Sequence, residues 1–572
     1  MSSQRSGGRA VRRSGCEAGL RSRSTSPSFR LSALPPFRLC VLASLFAAAP
    51  LTAQDPLAGR WDNVRLHHDA LRYDIALSLP DSGGFISAEV TTRWRLTGPG
   101  PVVIDLDSIL TVRRVTANGA SAAWRREGNR ILIPVRGRAG DTVTTAVRYD
   151  GVPRDGLLLR GAGTERTVFA DNWPDRARHW LAAQDHPADK AAVGWRIEAP
   201  AGYVVLATGS LLGVDSLPDG RRRWRFDNPA PVPVYTMVAG MARLAVTPLP
   251  KAGCPARCVP VSVLTYPADS AFAVDGPFRR ASEIVEFFSA RIAPFPYGEL
   301  RHVESSTIFG GMENATAIFY DEKGYRERRT SERTVAHETM HQWFGDAVTE
   351  ADWHHLWLSE GFATYGAALW AEHVGGDSAL RAAMREEKET LIHRPIIERP
   401  ILDSTVTDRM QLLNPNNYNK GAWVLHSLRG LMGDSAFFAG LAGYFRRYEH
   451  RNALSSDLAR IMGQAAHRDL GWYFRQALLQ PGYPVLEVTT ELDAGHLLVT
   501  VRQVQKEAWG TYRMPNLEIR LDQRVLRVDV EGPITRVATH WEGDRPPAVV
   551  EVDPAGWWLV EVKQAEGRKG GK

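Results

Sequence analysis

The stretch RTVAHETMHQWFGDAVTEADWHHLWLSEGFATYGAALW, residues 333 to 370, decides how this chain is read. Within it His337, Glu338 and His341 spell H-E-x-x-H, and Glu360 follows His341 after eighteen intervening residues. If residues 333–344 are helical, side chains four apart stand one above the other, so both imidazoles reach a single ion. Two histidines do not complete a catalytic zinc site, which takes three protein ligands and keeps a fourth position open. Glu360 is the best candidate for the third, because LWLSEGFATYGAALWAEHV reads as a second helix that packs on the first and presents a carboxylate at its start. Glu338 lies beside the ligand face without being on it. Its carboxylate is therefore free to take a proton from a water whose pKa the metal lowers to about 7.

Outward from this stretch, 572 residues are too many for one core and suggest three to four domains. A hydrophobic content of 44% with 23% charged residues is ordinary for a globular protein. Residues 1–53 carry eight Arg and one Glu, a net of +7 against +6 for the whole chain, so everything after them carries −1. The basic balance thus sits in the leader and implies no nucleic-acid partner. That leader turns apolar at LCVLASLFAAAPLTAQD, residues 39 to 55, and reads as a secretory signal peptide ending near Ala53, or as an uncleaved N-terminal anchor given its long basic part. Its apolar run is too short for an ordinary spanning helix, and no other stretch reaches eighteen apolar residues, which argues against a polytopic membrane protein. The expected location is secreted or periplasmic. Two of the four cysteines, Cys16 and Cys40, fall in the leader. Cys254 and Cys258 are close enough to bridge in an oxidising compartment, and no second pair completes a metal site with them.

Periodicity divides the rest. LRYDIALSLP alternates at Leu71, Tyr73, Ile75, Leu77 and Leu79, DSGG turns the chain, and ISAEVTTRWRL repeats the alternation. Strand-like runs continue to about residue 250, so residues 54–250 form a β domain. GPFRRASEIVEFFSARI then places Phe278, Ala281, Ile284, Val285, Phe288 and Ile292 on one helical face, marking entry into a domain spanning 251–480. Helices are expected around 377–392, 420–432, 434–448, 455–466 and 469–479. From QPGYPVLEVTTEL onward alternation returns, with Val485, Leu497, Val499, Val501, Leu517, Ile519, Leu521, Val528 and Val530 in short strands of a small sandwich over 481–563. The last residues, 564–572, read as a disordered tail. His354 and His355 have no partner spacing that stands out and receive no metal role.

The segment HETMHQWFGDAVTEADWHHLWLSEGFA resembles the signature of the zinc metallo-aminopeptidases of the aminopeptidase N type, gluzincins whose relatives include leukotriene hydrolases. A second family signature, usually G-A-M-E-N, has its counterpart in Gly310, Gly311, Met312, Glu313 and Asn314. A third, Y-x-K-G-A, is matched by Tyr418, Lys420, Gly421 and Ala422. The resemblance implies a multidomain α+β fold: an N-terminal β-rich saddle-like domain, a thermolysin-like catalytic domain running from α/β to helical, and a small C-terminal β-sandwich. It implies one zinc ion per chain on His337, His341 and Glu360, with Glu338 as base and Tyr418 donating to the oxyanion. Gly310, Gly311 and Met312 would pair with substrate backbone by strand addition, and Glu313 would bind the substrate's free α-ammonium group.

The chain also departs from the family. In WPDRARHWLAAQDHPADKA, residues 173–191, the position where many relatives carry an acidic or amide amine anchor falls on Trp173, with Asp171 or Asp175 as candidates to compensate. Ser359 stands where relatives usually have Asn, a change expected only to alter how a ligand is supported. The glycines at 310 and 311 imply close approach of another backbone. The further large helical domain that many relatives carry after the sandwich has no counterpart in this sequence. The expected activity is removal of N-terminal residues from peptides. A zinc endopeptidase with the same metal site and a catalytically inactive extracellular binding protein are the alternatives.

Overall fold

The computed structural model describes residues 55–62, 66–254 and 258–563. The leader with Cys16 and Cys40, and the tail 564–572, lie outside the described residues. The alternation read in the first strands is realised directly. Asp69–Ser78 buries Tyr73, Ile75 and Leu77 and pairs antiparallel with Ile86–Arg95, which buries Val90 and Trp94. These strands sit at the centre of an eight-stranded sheet, where Asp69–Ser78 also runs parallel to Lys190–Ala199. Smaller sheets complete the N-terminal β-rich region, one of them formed by Leu157–Arg160, Thr167–Ala170, Val204–Ala207 and Ala239–Ala242.

The next sheet carries the chemistry. Its order is Ala245–Pro248, Val261–Thr265, Leu300–Ser305, Ala317–Asp321 and, at the edge, the two-residue strand Gly311–Met312. The inner three strands are parallel and Gly311–Met312 runs antiparallel to Ala317–Asp321. Helix Ala281–Arg291 buries Ala281, Ile284, Val285 and Phe288, three residues later in onset than the apolar stripe suggested, because Phe278 is buried in the turn before it.

Helix Glu332–His341 starts at a Ser331 cap, whose Oγ accepts the N–H of Thr334 at 3.2 Å. The long helix Trp357–Leu391 is buried from Trp357 to Trp370 and kinks at Gly376, where φ is 70° and ψ −169°. Two glycines let the central helices touch. A Cβ on Gly366 would stand 2.6 Å from Met340 Cγ in the first helix, and one on Gly361 would stand 2.9 Å from the backbone of Gly421, at the start of helix Gly421–Met432. One hydrophobic core runs through the N-terminal and helical regions, and a second is confined to the C-terminal sheets. Those sheets, built on Val485–Asp493, His496–Gln503 and Ile534–His540 on one side and Met514–Leu521 with Arg524–Val530 on the other, face one another across Leu497, Val499, Val501, Leu517, Ile519, Leu521, Val528 and Val530. The architecture is multidomain α+β, and among the described residues no helix is long and apolar enough to cross a membrane. Cys254 and Cys258 are joined by a disulfide.

The first described segment is clasped to the helical region. Asp352 accepts the N–H groups of Trp61 and Asp62 at 2.6 and 2.7 Å, and Asp62 accepts the N–H of Trp353 at 2.9 Å. Trp61 stacks on His355, whose Nδ1 lies 2.8 Å from Ser455 Oγ and whose Nε2 donates to the Gly59 carbonyl. His354 bonds Asp352 and the Val406 carbonyl. Both histidines are thus structural. Burial opposes ionisation of Asp352, but hydrogen bonds from His354 and the Asp62 N–H overcome it and hold the carboxyl down at about 2. A folded-state pKa below the unfolded value near 4 means that this contribution is complete above pH 4 and lost as pH falls through about 2. Asp352→Ala strands several buried donors and should cost at least about 2 kcal/mol. The measurement is the unfolding midpoint at pH 7, and an unchanged midpoint removes the clasp as a stabilising feature.

Candidate active site

The helix spacing brings the three expected ligands to one point. His337 Nε2 and His341 Nε2 are 3.2 Å apart, and Glu360 Oε2 lies 3.3 Å from the first and 3.4 Å from the second. Donor atoms about 2.0–2.1 Å from a tetrahedral zinc stand about 3.3–3.4 Å from one another, so the three side chains fit that ion without rearrangement. Glu360 Oε2 is buried with no hydrogen-bond donor, as a metal ligand's lone pair would be. His341 Nδ1 donates to the Phe344 carbonyl at 3.2 Å, with Ser359 Oγ 3.0 Å away, which turns Nε2 toward the cluster. Ser359 therefore supports a ligand, as its place before Glu360 suggested. The turn that allows this contains Gly345 at φ 127°, where a Cβ would stand 2.5 Å from Ser359 Oγ.

The charge balance agrees. Glu338, Glu313 and Glu360 are all buried around two imidazoles. Burial pushes Glu338 well above the usual carboxylate range, and the negative charges of Glu313 and Glu360 add to this against the pull of His341. Burial would also raise Glu360, but the charge of His341 and the closeness of both imidazoles hold it at about 2. A divalent cation at the triangle would favour the ionised form of the three carboxyls.

The edge strand explains the glycine pair, with one correction. The close neighbour of Gly311 is not another backbone but the Glu338 carboxylate, which occupies the place a Cβ would take. Gly310, Gly311, Met312 and Glu313 line a cavity of about 200 Å³ together with His337, Glu338, His341, Glu360 and Tyr418. The three expected metal ligands, the expected base Glu338, Tyr418 and the Gly310–Glu313 segment all lie on this wall. Tyr418 stands in a single π turn, Asn416–Lys420, that leads into helix Gly421–Met432. Its ring lies parallel to that of His337 with centroids 6.1 Å apart.

Trp173 also lines the cavity, its ring edge-on to Phe309 and Trp353. Neither acid beside it compensates. Asp171 is tied to Thr307 Oγ1, the Ile308 N–H and Arg176, and Asp175 to Arg409. Neither lines the cavity. Sequence reasoning also passed over Gln342, whose Nε2 donates to the Glu313 carbonyl at 2.9 Å while its Oε1 accepts the Thr316 N–H at 2.9 Å. Gln342 thereby ties the segment just after the edge strand, which holds Glu313, to the end of the helix that carries the histidines. Its position next to His341 was the available signal. Phe309 and Leu413, which close the cavity, carried none.

Residues 278–476 match the model of the peptidase family M1 domain. The chain is 23% identical over 524 residues to probable aminopeptidase 1 of Sulfurisphaera tokodaii, covering 86% of this chain and 63% of that protein. It is 26% identical over 473 residues to aminopeptidase N of Streptomyces lividans, covering 77% and 53%. The chain thus spans about half to two thirds of the length of these curated relatives. Among solved structures, an M1 zinc metallopeptidase from Deinococcus radiodurans aligns with a TM-score of 0.66 at 24% identity, over 73% of this chain and 95% of that one. A mutant of the same protein bound to a Tyr-Ser-Ala substrate aligns with a TM-score of 0.64 at 24% identity, over 72% and 94%. With the ligand triangle and the base beside it, the chain is similar to the aminopeptidase N-type zinc peptidases, and its residues 278–476 match the peptidase family M1 domain.

Proposed function

We propose that this protein is a zinc-dependent aminopeptidase that hydrolyses the N-terminal peptide bond of peptides. The observation that carries the reading is the triangle of donor atoms on His337, His341 and Glu360, 3.2–3.4 Å on a side, with the Glu338 carboxylate in the same cavity wall. His337, His341 and Glu360 would hold a zinc ion there, which would supply Lewis acidity to acidify a water and polarise the scissile carbonyl. Glu338 takes the proton that the water gives up as its oxygen adds to the carbonyl carbon. The same carboxyl then hands that proton to the amine nitrogen as the C–N bond breaks. Tyr418 donates its phenolic hydrogen to the oxygen on which negative charge develops. The substrate backbone extends along Gly310–Met312 as an added strand.

Glu313 pairs with the free α-ammonium group, and with Trp173 beside it and Asp171 and Asp175 committed elsewhere, it acts without a second acidic anchor from that segment. Glu313→Gln should therefore lower kcat/KM by about 10- to 100-fold, the worth of one charge-assisted hydrogen bond, in steady-state assays with an aminoacyl-anilide. The companion test is an N-acetylated peptide of the same sequence. Turnover of the acetylated form at or above that of the free form rejects the exopeptidase reading and favours an endopeptidase on the same metal site. The leader's basic-then-apolar pattern and the Cys254–Cys258 bridge support secretion or a periplasmic location. Cell fractionation, with N-terminal sequencing to locate a cut near Ala53, tests it.

A further inference from the structure

Behind the turn that carries Tyr418 lies a second cavity, of about 60 Å³, between helix Gly421–Met432, helix Gly471–Leu479 and the C-terminal sandwich. It shares no lining residue with the cavity of the metal ligands. Its walls are aromatic, from Trp423, Tyr473, Tyr483, Tyr512 and Trp558. The phenols are already engaged: Tyr473 donates to the Val424 carbonyl at 2.7 Å, Tyr512 to the Pro481 carbonyl at 2.5 Å and Tyr483 to Glu561 at 3.0 Å.

Two donors are not. Lys420 lines the cavity at 5% exposure, and its Nζ donates to the Gln480 carbonyl at 3.0 Å, which uses one of its three hydrogens. Among the described residues it forms no ion pair. Burial alone pushes its ammonium down to about 7, with no carboxylate to restore it. Trp423, also 5% exposed, has its Nε1–H buried with no acceptor. Lys190 shows the contrast: it donates to the carbonyls of Asp346 and Ala347 at 2.7 Å and has the carboxylates of Asp346 and Glu350 nearby. A buried ammonium without a counter-charge and a buried N–H without an acceptor both call for an occupant that accepts hydrogen bonds and carries negative charge. The surrounding rings call for hydrocarbon.

We propose that this cavity binds a small monocarboxylate with a short branched tail, its carboxylate on Lys420 and the Trp423 N–H and its tail among the aromatic walls. The volume holds about four waters, which matches a tail of a few carbons. The inference is independent of the proposed activity and is tested by binding alone.

The probe is 3-methylbutanoate, titrated calorimetrically into the zinc-loaded protein with the metal site first saturated by an amino-acid hydroxamate, so that the carboxylate has no access to the metal. One site per chain with a dissociation constant of about 1 mM is expected for a ligand of this size. The amine with the same tail, 3-methylbutylamine, should not bind. Lys420→Met should weaken binding at least tenfold by removing the charge. Ala477→Phe, which fills the cavity from a half-buried wall position, should do the same and decides the matter should Lys420→Met fail to fold. Absence of binding with the metal site blocked, equal binding of the amine, or an unchanged affinity in Ala477→Phe overturns the proposal.

Discussion

Glu338→Gln is expected to lower kcat by at least about a hundredfold and up to about ten-thousandfold while the protein keeps one zinc per chain. The amide has the size of the carboxylate and still fits beside Gly311, where the structure leaves room for no side chain. It is not one of the three converging ligands, so metal content should stay at the wild-type level by elemental analysis. What the variant loses is the ability to carry a proton from the attacking water to the departing amine. Turnover within tenfold of wild type in metal-replete protein would remove Glu338 as the base.

The second large effect is expected from Tyr418→Phe, about 100- to 1,000-fold in kcat with little change in KM. Phenylalanine preserves the ring that lies parallel to His337 and removes only the hydroxyl. The loss is then read as a missing donor to charge that exists only in the transition state. A rise in KM with kcat intact would instead make Tyr418 part of the binding wall.

How much of this was visible in the sequence follows from how local each feature is. The two imidazoles converge because a helix repeats every 3.6 residues, and the alternation at Tyr73, Ile75 and Leu77 shows directly as one buried sheet face. The third ligand is also legible, since Glu360 opens the next helix. The rest depends on partners far apart in the chain. Asp171 is consumed by Thr307, 136 positions away, and no local pattern distinguishes it from an acid free to bind an amine. The clasp of Trp61 and Asp62 on Asp352 spans about 290 positions and leaves no trace in periodicity. Tyr418 lies among asparagines that read as a loop, and the π turn there becomes apparent only once Gly361 and Gly421 are seen to bring the two helices together.

The two-residue strand at the sheet margin has a consequence for what can be digested. Under the proposed function, a substrate paired along Gly311–Met312 would be held by its amides rather than its side chains, a contact tolerant of residue type but strict about shape. A chain end wound into a helix or docked on its own protein has no free amides to offer. Intact proteins with well-anchored termini should therefore resist trimming, and frayed ends and short fragments should be consumed first.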